Sequence, residues 1–218
     1  RLLLRPGLKA VEWLVRRFRY VSATPTAPTS SNVDMPQVHE YNTESLVLTF
    51  LPYHANPIFP TMLSILPKTL PPTLKFLQPY IPSLSSPPTQ ALVYAAINNP
   101  SFFTAFNAYV VRTSNLGHHS VMLLQFWAGL MTPTINGMLD AAMSGRADVR
   151  SQRQEDLLLR VVPVLQQTLR IKNVPELFLG SCMIICVLVS KTQLDDKVLD
   201  SLMDAVSRGW SLQTLDQG

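Results

Sequence analysis

The sequence predicts an all-α fold, built as a solenoid of stacked helical hairpins. Two observations carry this expectation. Apolar residues recur at steps of three and four along nearly the whole chain, with no sustained alternation of the kind a half-buried strand needs. The last third also reads as helix, short turn, helix, short turn, helix, in "RQEDLLLRVVPVLQQTLRIKN", "VPELFLGSCMIICVLVSKTQ" and "LDDKVLDSLMDAVSRG". An amphipathic hairpin cannot bury its apolar face alone, so successive hairpins must stack.

In the first helix, Leu8, Val11, Leu14, Val15 and Phe18 make an apolar stripe, while Lys9, Glu12, Arg16 and Arg19 occupy the opposite face. Residues 20–37 follow, with three prolines, six Ser/Thr and a single charge, Asp34. That composition cannot build a core, and the tract is longer than the roughly 2–8 residues that join paired helices. A second helix is expected over residues 42–51, ended by Pro52, and a third over residues 57–66, stopping before Pro67. Residues 67–88 hold so many prolines that only short helical pieces fit. Ser86 is expected as an N-cap with Pro87 and Pro88 in the first turn, and Asn99 with Pro100 repeats the device for a helix ending near Gly117. An apolar helix is then expected over residues 118–131, and a separate shorter one over residues 133–143 with Gly145 as its C-cap.

The step from Gln154 to Leu194 is 40 residues, close to the roughly 40–47-residue period of two-helix HEAT units. Pro163 would kink the first helix of that unit. The expected architecture is therefore a HEAT-like α-solenoid, with residues 1–218 forming one helical-repeat domain that carries a loop insertion at residues 20–37. A chain that starts with Arg1 is expected to be a fragment of a longer one.

Composition argues mostly by exclusion. No nucleophile elbow, zinc-type His/Cys spacing, phosphate loop or dinucleotide fingerprint is present, so the sequence offers no sign of an enzyme, a cofactor, a metal site or a small-molecule substrate. The longest apolar run, residues 177–189, is too short for the roughly 20 residues that span a bilayer and reads as a buried core helix, so no membrane role is expected. The opening residues lack a small-residue cleavage site, which argues against a signal peptide. Cys182 and Cys186, four apart in that apolar run, are expected to pack in the core and not to hold a metal. With no disulfide framework, a reducing compartment is favoured. The net charge of +4 is local: residues 1–19 hold Arg1, Arg5, Lys9, Arg16, Arg17 and Arg19 against Glu12 alone.

Lys9, Arg16, Arg17 and Arg19 are the candidate contact surface, because guanidinium forks suit carboxylates and phosphates. A solvated helix face whose long stems cover apolar neighbours is the competing reading. Tyr53 and His54, after Pro52, are expected to fix a turn between helices, with RNA stacking as the alternative; His39 and Glu40 would similarly organise the start of the second helix. His118 and His119 begin a helix as neutral capping or surface groups, and Phe102, Phe103, Phe106 and Tyr109 have the spacing of a core stripe.

With residues 20–37 set aside, "EWLVRRFR" runs into "HEYN", "FLPYH", "PIF" and "LSIL". That string, within residues 8–66, resembles the N-terminal region of the U-three small nucleolar RNA-associated protein ten family, large HEAT-repeat proteins of the small-subunit processome and its UTP-A subcomplex. Residues 67–218 agree with the family only in helical, repeat-like character. Residues 20–37 depart from the family pattern, as a loop insertion or a retained intron. The resemblance implies a noncatalytic scaffold in the nucleolus, acting in pre-18S rRNA processing and linked to rDNA transcription through contacts with other UTP-A subunits. Direct binding of the pre-rRNA phosphate backbone by the basic first helix is the alternative.

Overall fold

Helices account for nearly all the regular structure in the computed structural model, which describes residues 38–64, 66, 67, 69–144 and 147–214; no strand occurs among them. The chain divides into two units, Arg1–Pro88 and Thr89–Gly218. The first expected helix and the tract at residues 20–37 lie outside the described residues.

In the first unit, α1 spans Val38–Phe50 and passes directly into a 3-10 turn, Leu51–Tyr53. The helix begins four residues earlier than the apolar pattern suggests, so "HEYN" is part of it. Pro52 sets the other end: lacking an N–H, it sits at the start of the 3-10 turn, where no donor is required. α2, Ile58–Leu63, is shorter than expected. The hydroxyl of Ser64 donates to the Thr61 carbonyl at 2.7 Å, and Leu66 N–H turns back to Leu63 O at 3.2 Å. Ser64 thus engages the backbone in a way that competes with helix continuation, and Pro67 excludes the residue before it from helical geometry. The proline-rich stretch does form one piece, a 3-10 helix over Pro72–Tyr80, tied to α1 where Thr73 Oγ1 donates to Glu44 Oε2 at 3.0 Å. Val47, Leu48 and Leu51, Phe59 and Met62, and Leu74 and Leu77 are all buried.

The second unit contains α3 (Thr89–Asn98), α4 (Pro100–Asn115), α5 (Val121–Met143), α6 (Ala147–Leu169), α7 (Pro175–Lys191) and α8 (Asp196–Thr214). Within it α5 packs on α3 and on α7, and α6 packs on α4 and on α8. The helices therefore alternate between two layers, α3/α5/α7 and α4/α6/α8, each packed on its neighbour in its own layer and on its chain neighbours in the other. That is an all-α solenoid. The helices of the second layer start at residues 100, 147 and 196, steps of 47 and 49.

Asn99 caps α4 as expected: its Oδ1 accepts the Phe102 N–H at 3.0 Å, with Pro100 at the first position. The helix closes with His118 N–H on Thr113 O at 2.8 Å and Gly117 at φ +68°, a left-handed turn that glycine adopts without steric penalty. Ser86, in contrast, caps nothing. Two successive prolines exclude Ser86 and Pro87 from helical geometry, and α3 begins only at Thr89. His118 and His119 lie in the turn before α5, not in its first turn. Ser120 is the cap there, its Oγ accepting the Leu123 N–H at 3.2 Å.

The larger correction is at Pro133, where one continuous helix, α5, replaces the two expected, and Ser144 takes the C-cap position. Pro133 is exposed, and the carbonyl it would clash with belongs to Gly129, also exposed. The flanking threonines donate to the carbonyls on either side, Thr132 to Ala128 at 2.8 Å and Thr134 to Leu130 at 2.7 Å, so the helix passes the proline with its buried side intact. α6 also starts at Ala147, six residues before the expected "RQED" at residue 153. Its first turns expose Arg150, Ser151, Gln152 and Arg153 and so lack the apolar periodicity that marks a helix in sequence.

The core of this unit centres on Phe102, Phe103, Phe106 and Trp127, all buried, with Phe102 and Phe106 stacked at 6.0 Å between centroids. Tyr109, fourth in the expected stripe, is only half-buried. A polar pair is built into this core. Trp127 Nε1 donates to Asn107 Oδ1 at 2.8 Å, and Asn107 Nδ2 donates to Phe103 O at 2.8 Å. At the other end of the unit Gln213, on α8, donates to Ile171 O at 2.8 Å and accepts the Val174 N–H at 2.8 Å, clamping the turn between α6 and α7.

Candidate interaction surface

Ionisable residues are divided between the two layers of the second unit. α3, α5 and α7 together contain three Asp, Glu, Lys or Arg residues: Asp140, Glu176 and Lys191. Two of these neutralise each other, Lys191 Nζ lying 2.6 Å from Asp140 Oδ1. The other layer exposes Arg112 on α4, Arg150, Arg153, Glu155, Asp156 and Arg160 on α6, and Lys197, Asp200, Asp204 and Arg208 on α8.

The outward face of the α3/α5/α7 layer is correspondingly poor in charge: Glu176, at helical steps from Leu179 and Met183, and the paired Asp140 and Lys191 are the Asp, Glu, Lys and Arg residues of its three helices. Tyr94 on α3 is 69% exposed, and Leu179 and Met183 on α7 are 58% and 55% exposed. Between them α5 presents Gln125, Gly129 and Pro133 at helical steps of four. α5 and α7 run parallel and close together: Gly180 approaches Trp127 and Ala128, while Lys191 reaches Asp140 near the other end of both helices. A Cβ added to Gly180 would lie 3.0 Å from that of Ala128, so glycine permits this approach. A surface with exposed aliphatic and aromatic groups and almost no net charge loses little on desolvation and gains by apolar burial, the physics of protein docking. Lys191, the only Lys or Arg of these three helices, is paired with Asp140, so among the described residues this face offers little to a phosphate backbone.

The sequence-derived candidates fall elsewhere. Lys9, Arg16, Arg17 and Arg19 lie outside the described residues. The backbone of His39 belongs to α1, and its side chain also lies outside them. Tyr53 and His54 are half-buried in the 3-10 turn after α1. There the His54 Nδ1 and backbone N–H both lie 3.1 Å from Leu51 O. Asn56 continues the turn, its N–H donating to Tyr53 O at 2.8 Å and its Oδ1 accepting the Ile58 N–H at 3.1 Å.

The expected burial of the cysteines is overturned: Cys182 is half-buried and Cys186 exposed. The run "LFLGSCMIICVLV" is apolar nearly all round, so its spacing does not tell which side faces the core; α7 buries Leu177, Phe178, Gly180, Ser181, Ile184, Ile185 and Leu188 and leaves the others half-buried or exposed. Burial, and then the neighbouring Cys186, push the Cys182 thiol above its ordinary pKa. Among the described residues no three His, Cys, Asp or Glu side chains gather as a metal site, and no helix is long and apolar enough to cross a membrane. The charge division between layers is hidden along the chain because the two layers alternate helix by helix.

The family model for U3 small nucleolar RNA-associated protein 10 matches residues 157–218, from the middle of α6 to the end of the chain. Over its whole length the chain is 46% identical to the U3 small nucleolar RNA-associated protein 10 of Aspergillus oryzae and 46% identical to that of Aspergillus clavatus. It is 44% identical to that of Coccidioides immitis over 97% of its length. The chain belongs to this family. It spans about 11% of the length of these relatives, and the similarity lies in their N-terminal region. The resemblance read from residues 8–66 therefore extends to the whole chain, including the part where only helical character had been legible.

Proposed function

We propose that this chain is a noncatalytic scaffold region of the small-subunit processome, one N-terminal helical-repeat domain that acts through protein contacts in nucleolar pre-18S rRNA processing and in its link to rDNA transcription. The family's name associates its members with U3 small nucleolar RNA. The observation that carries the scaffold reading is the charge-poor outer face of α3, α5 and α7, with Tyr94, Leu179 and Met183 exposed. Other UTP-A subunits are its partners in this proposal. Lys9, Arg16, Arg17 and Arg19 add a second, charged contact for protein or RNA, and His39, Tyr53 and His54 hold the turns that position α1.

The test is retention of UTP-A subunits by the tagged protein from nucleolar extract. Leu179→Glu with Met183→Glu places two charges on an exposed face, so folding, read by circular dichroism, should be unchanged while subunit retention falls at least about tenfold, as desolvating a charge in an apolar contact predicts. Full retention by the folded double variant sinks the proposed face. Direct RNA binding, favoured by the basic composition of residues 1–19, predicts instead an affinity that falls steeply with salt and is abolished by Arg16→Glu with Arg19→Glu.

A further inference from the structure

A Ser or Thr followed by proline occurs at three places in the sequence, Thr24-Pro25, Ser86-Pro87 and Thr132-Pro133. Thr24 lies outside the described residues. Thr132 sits within α5, where its hydroxyl donates to the Ala128 carbonyl at 2.8 Å. Ser86 is different. Residues 85–88, the last of the first unit, belong to no helix or turn, and the Ser86 hydroxyl makes no hydrogen bond among the described residues. Its neighbours Ser83 and Ser85 bond to each other through their hydroxyls at 2.7 Å, and neither precedes a proline. Ser83, Leu84, Ser85 and Pro88 are exposed, Ser86 is half-buried and Pro87 is buried.

The backbone here suits a protein kinase, which takes its acceptor residue from an extended segment. Pro87 excludes helical geometry at Ser86, and Pro88 does the same at Pro87, so the Ser-Pro-Pro run is extended without any partner strand. Few bonds hold it in place. Pro87 and Pro88 have no N–H to donate, and the turn before them closes through Leu84 N–H on Ile81 O and Ser85 N–H on Tyr80 O, both at a long 3.3 Å. Leu84 stands at φ +46°, a left-handed conformation that a residue with a Cβ adopts at a cost. Local opening of this segment therefore costs little, relieves Leu84 and frees the Pro87 ring that a proline-directed kinase reads. A phosphate at this point has a large electrostatic effect. Residues 76–111 contain no Asp, Glu, Lys or Arg, so its charge of about −1.5 to −2 at pH 7 would stand alone between Lys75 and Arg112.

We propose that Ser86 is a phosphorylation site for a proline-directed protein kinase. Ser86 Oγ attacks the γ-phosphorus of a nucleoside triphosphate and the bond from that phosphorus to the β–γ bridging oxygen breaks. The nucleoside diphosphate leaves with the electron pair, and the hydroxyl proton passes to the carboxylate base of the kinase. The modification turns an uncharged stretch of chain into an anionic one. It does not depend on which partner occupies the outer face of α3, α5 and α7, so either reading can fail without the other.

The experiment treats the folded full-length protein with ATP and a cyclin-dependent kinase, the probe for proline-directed transfer, and locates phosphate by fragmentation of tryptic peptides. Residues 76–111 contain no tryptic site, so residues 76–112 are released as one peptide. Phosphate should appear on Ser86 and disappear in Ser86→Ala. It should fall at least about tenfold in Pro87→Ala, and Thr132, held in a helix that opens far less often, should carry at least about tenfold less than Ser86. The same peptide from protein isolated from its cells with phosphatase inhibitors should carry the group on Ser86. Absence of phosphate from Ser86 in either sample overturns the proposal. So does full transfer to Ser86 in Pro87→Ala, or transfer to Thr132 as readily as to Ser86.

Discussion

Replacing Asn107 with Leu tests the polar group at the centre of the second unit. Asn107 and Trp127 are both buried, and the indole N–H can only donate, which fixes the Asn107 carbonyl toward Trp127 and its amide toward the Phe103 carbonyl. Leu has the branched shape and heavy-atom count of Asn and is somewhat larger, so the change removes the acceptor without opening a cavity. The indole N–H is then buried without a partner, a loss of about 1–3 kcal/mol. Trp127→Phe removes the donor, leaves the Asn107 oxygen unpaired and adds a cavity, about 2–4 kcal/mol in all. Combining the two leaves neither group orphaned, so the double variant should be less destabilised than the sum of the singles, by about 1–2 kcal/mol. Urea unfolding followed by helical circular dichroism measures all three, since the signal does not depend on the tryptophan that is removed. Additivity within about 0.5 kcal/mol would refute the reasoning.

Two glycines on these helices should respond in opposite directions. At Gly209 an added Cβ would lie 2.6 Å from the Leu169 carbonyl oxygen and 2.9 Å from the Phe178 ring, so Gly209→Ala should lose about 1–3 kcal/mol to overpacking even after its gain in helix propensity. At Gly129 nothing lies within 4 Å, and Gly129→Ala should raise stability by about 0.5–1 kcal/mol in the same urea titration. For Cys182, the thiol is held protonated by burial and by Cys186. Its alkylation rate should therefore reach half its maximum at a pH above the ordinary thiol value, and Cys186→Ser should move that midpoint down. A midpoint at or below the ordinary value would contradict the burial.

Helical spacing conveyed the architecture because it reports on burial, and burial is what a solenoid repeats. The aromatic residues of α4 and the Asn99-Pro100 start were legible for that reason: each is a local pattern with a local cause. Pro133 was misread because a proline breaks a helix only where its displaced carbonyl cannot be satisfied, and the exposure of Gly129 that satisfies it is a tertiary fact. The outward side of α7 was hidden for a related reason. When every position is apolar, periodicity has no contrast, and only the neighbours of the helix decide which residues face water. The basic segment of residues 1–19 stands out in sequence because its cations lie within one short stretch, whereas the charge-poor outer face is assembled from three helices separated by charged ones.

The clamp made by Gln213 ties the end of α8 back to the turn between α6 and α7. Its amide bonds to the turn between α6 and α7 are local in space but span 39 and 42 residues of chain, so that turn acquires its last two hydrogen bonds only when the far end of α8 has emerged. In a nascent chain leaving the ribosome, this turn would thus be latched only after α8 has been made. A substitution such as Gln213→Leu would then act upstream of itself, loosening a turn already synthesised.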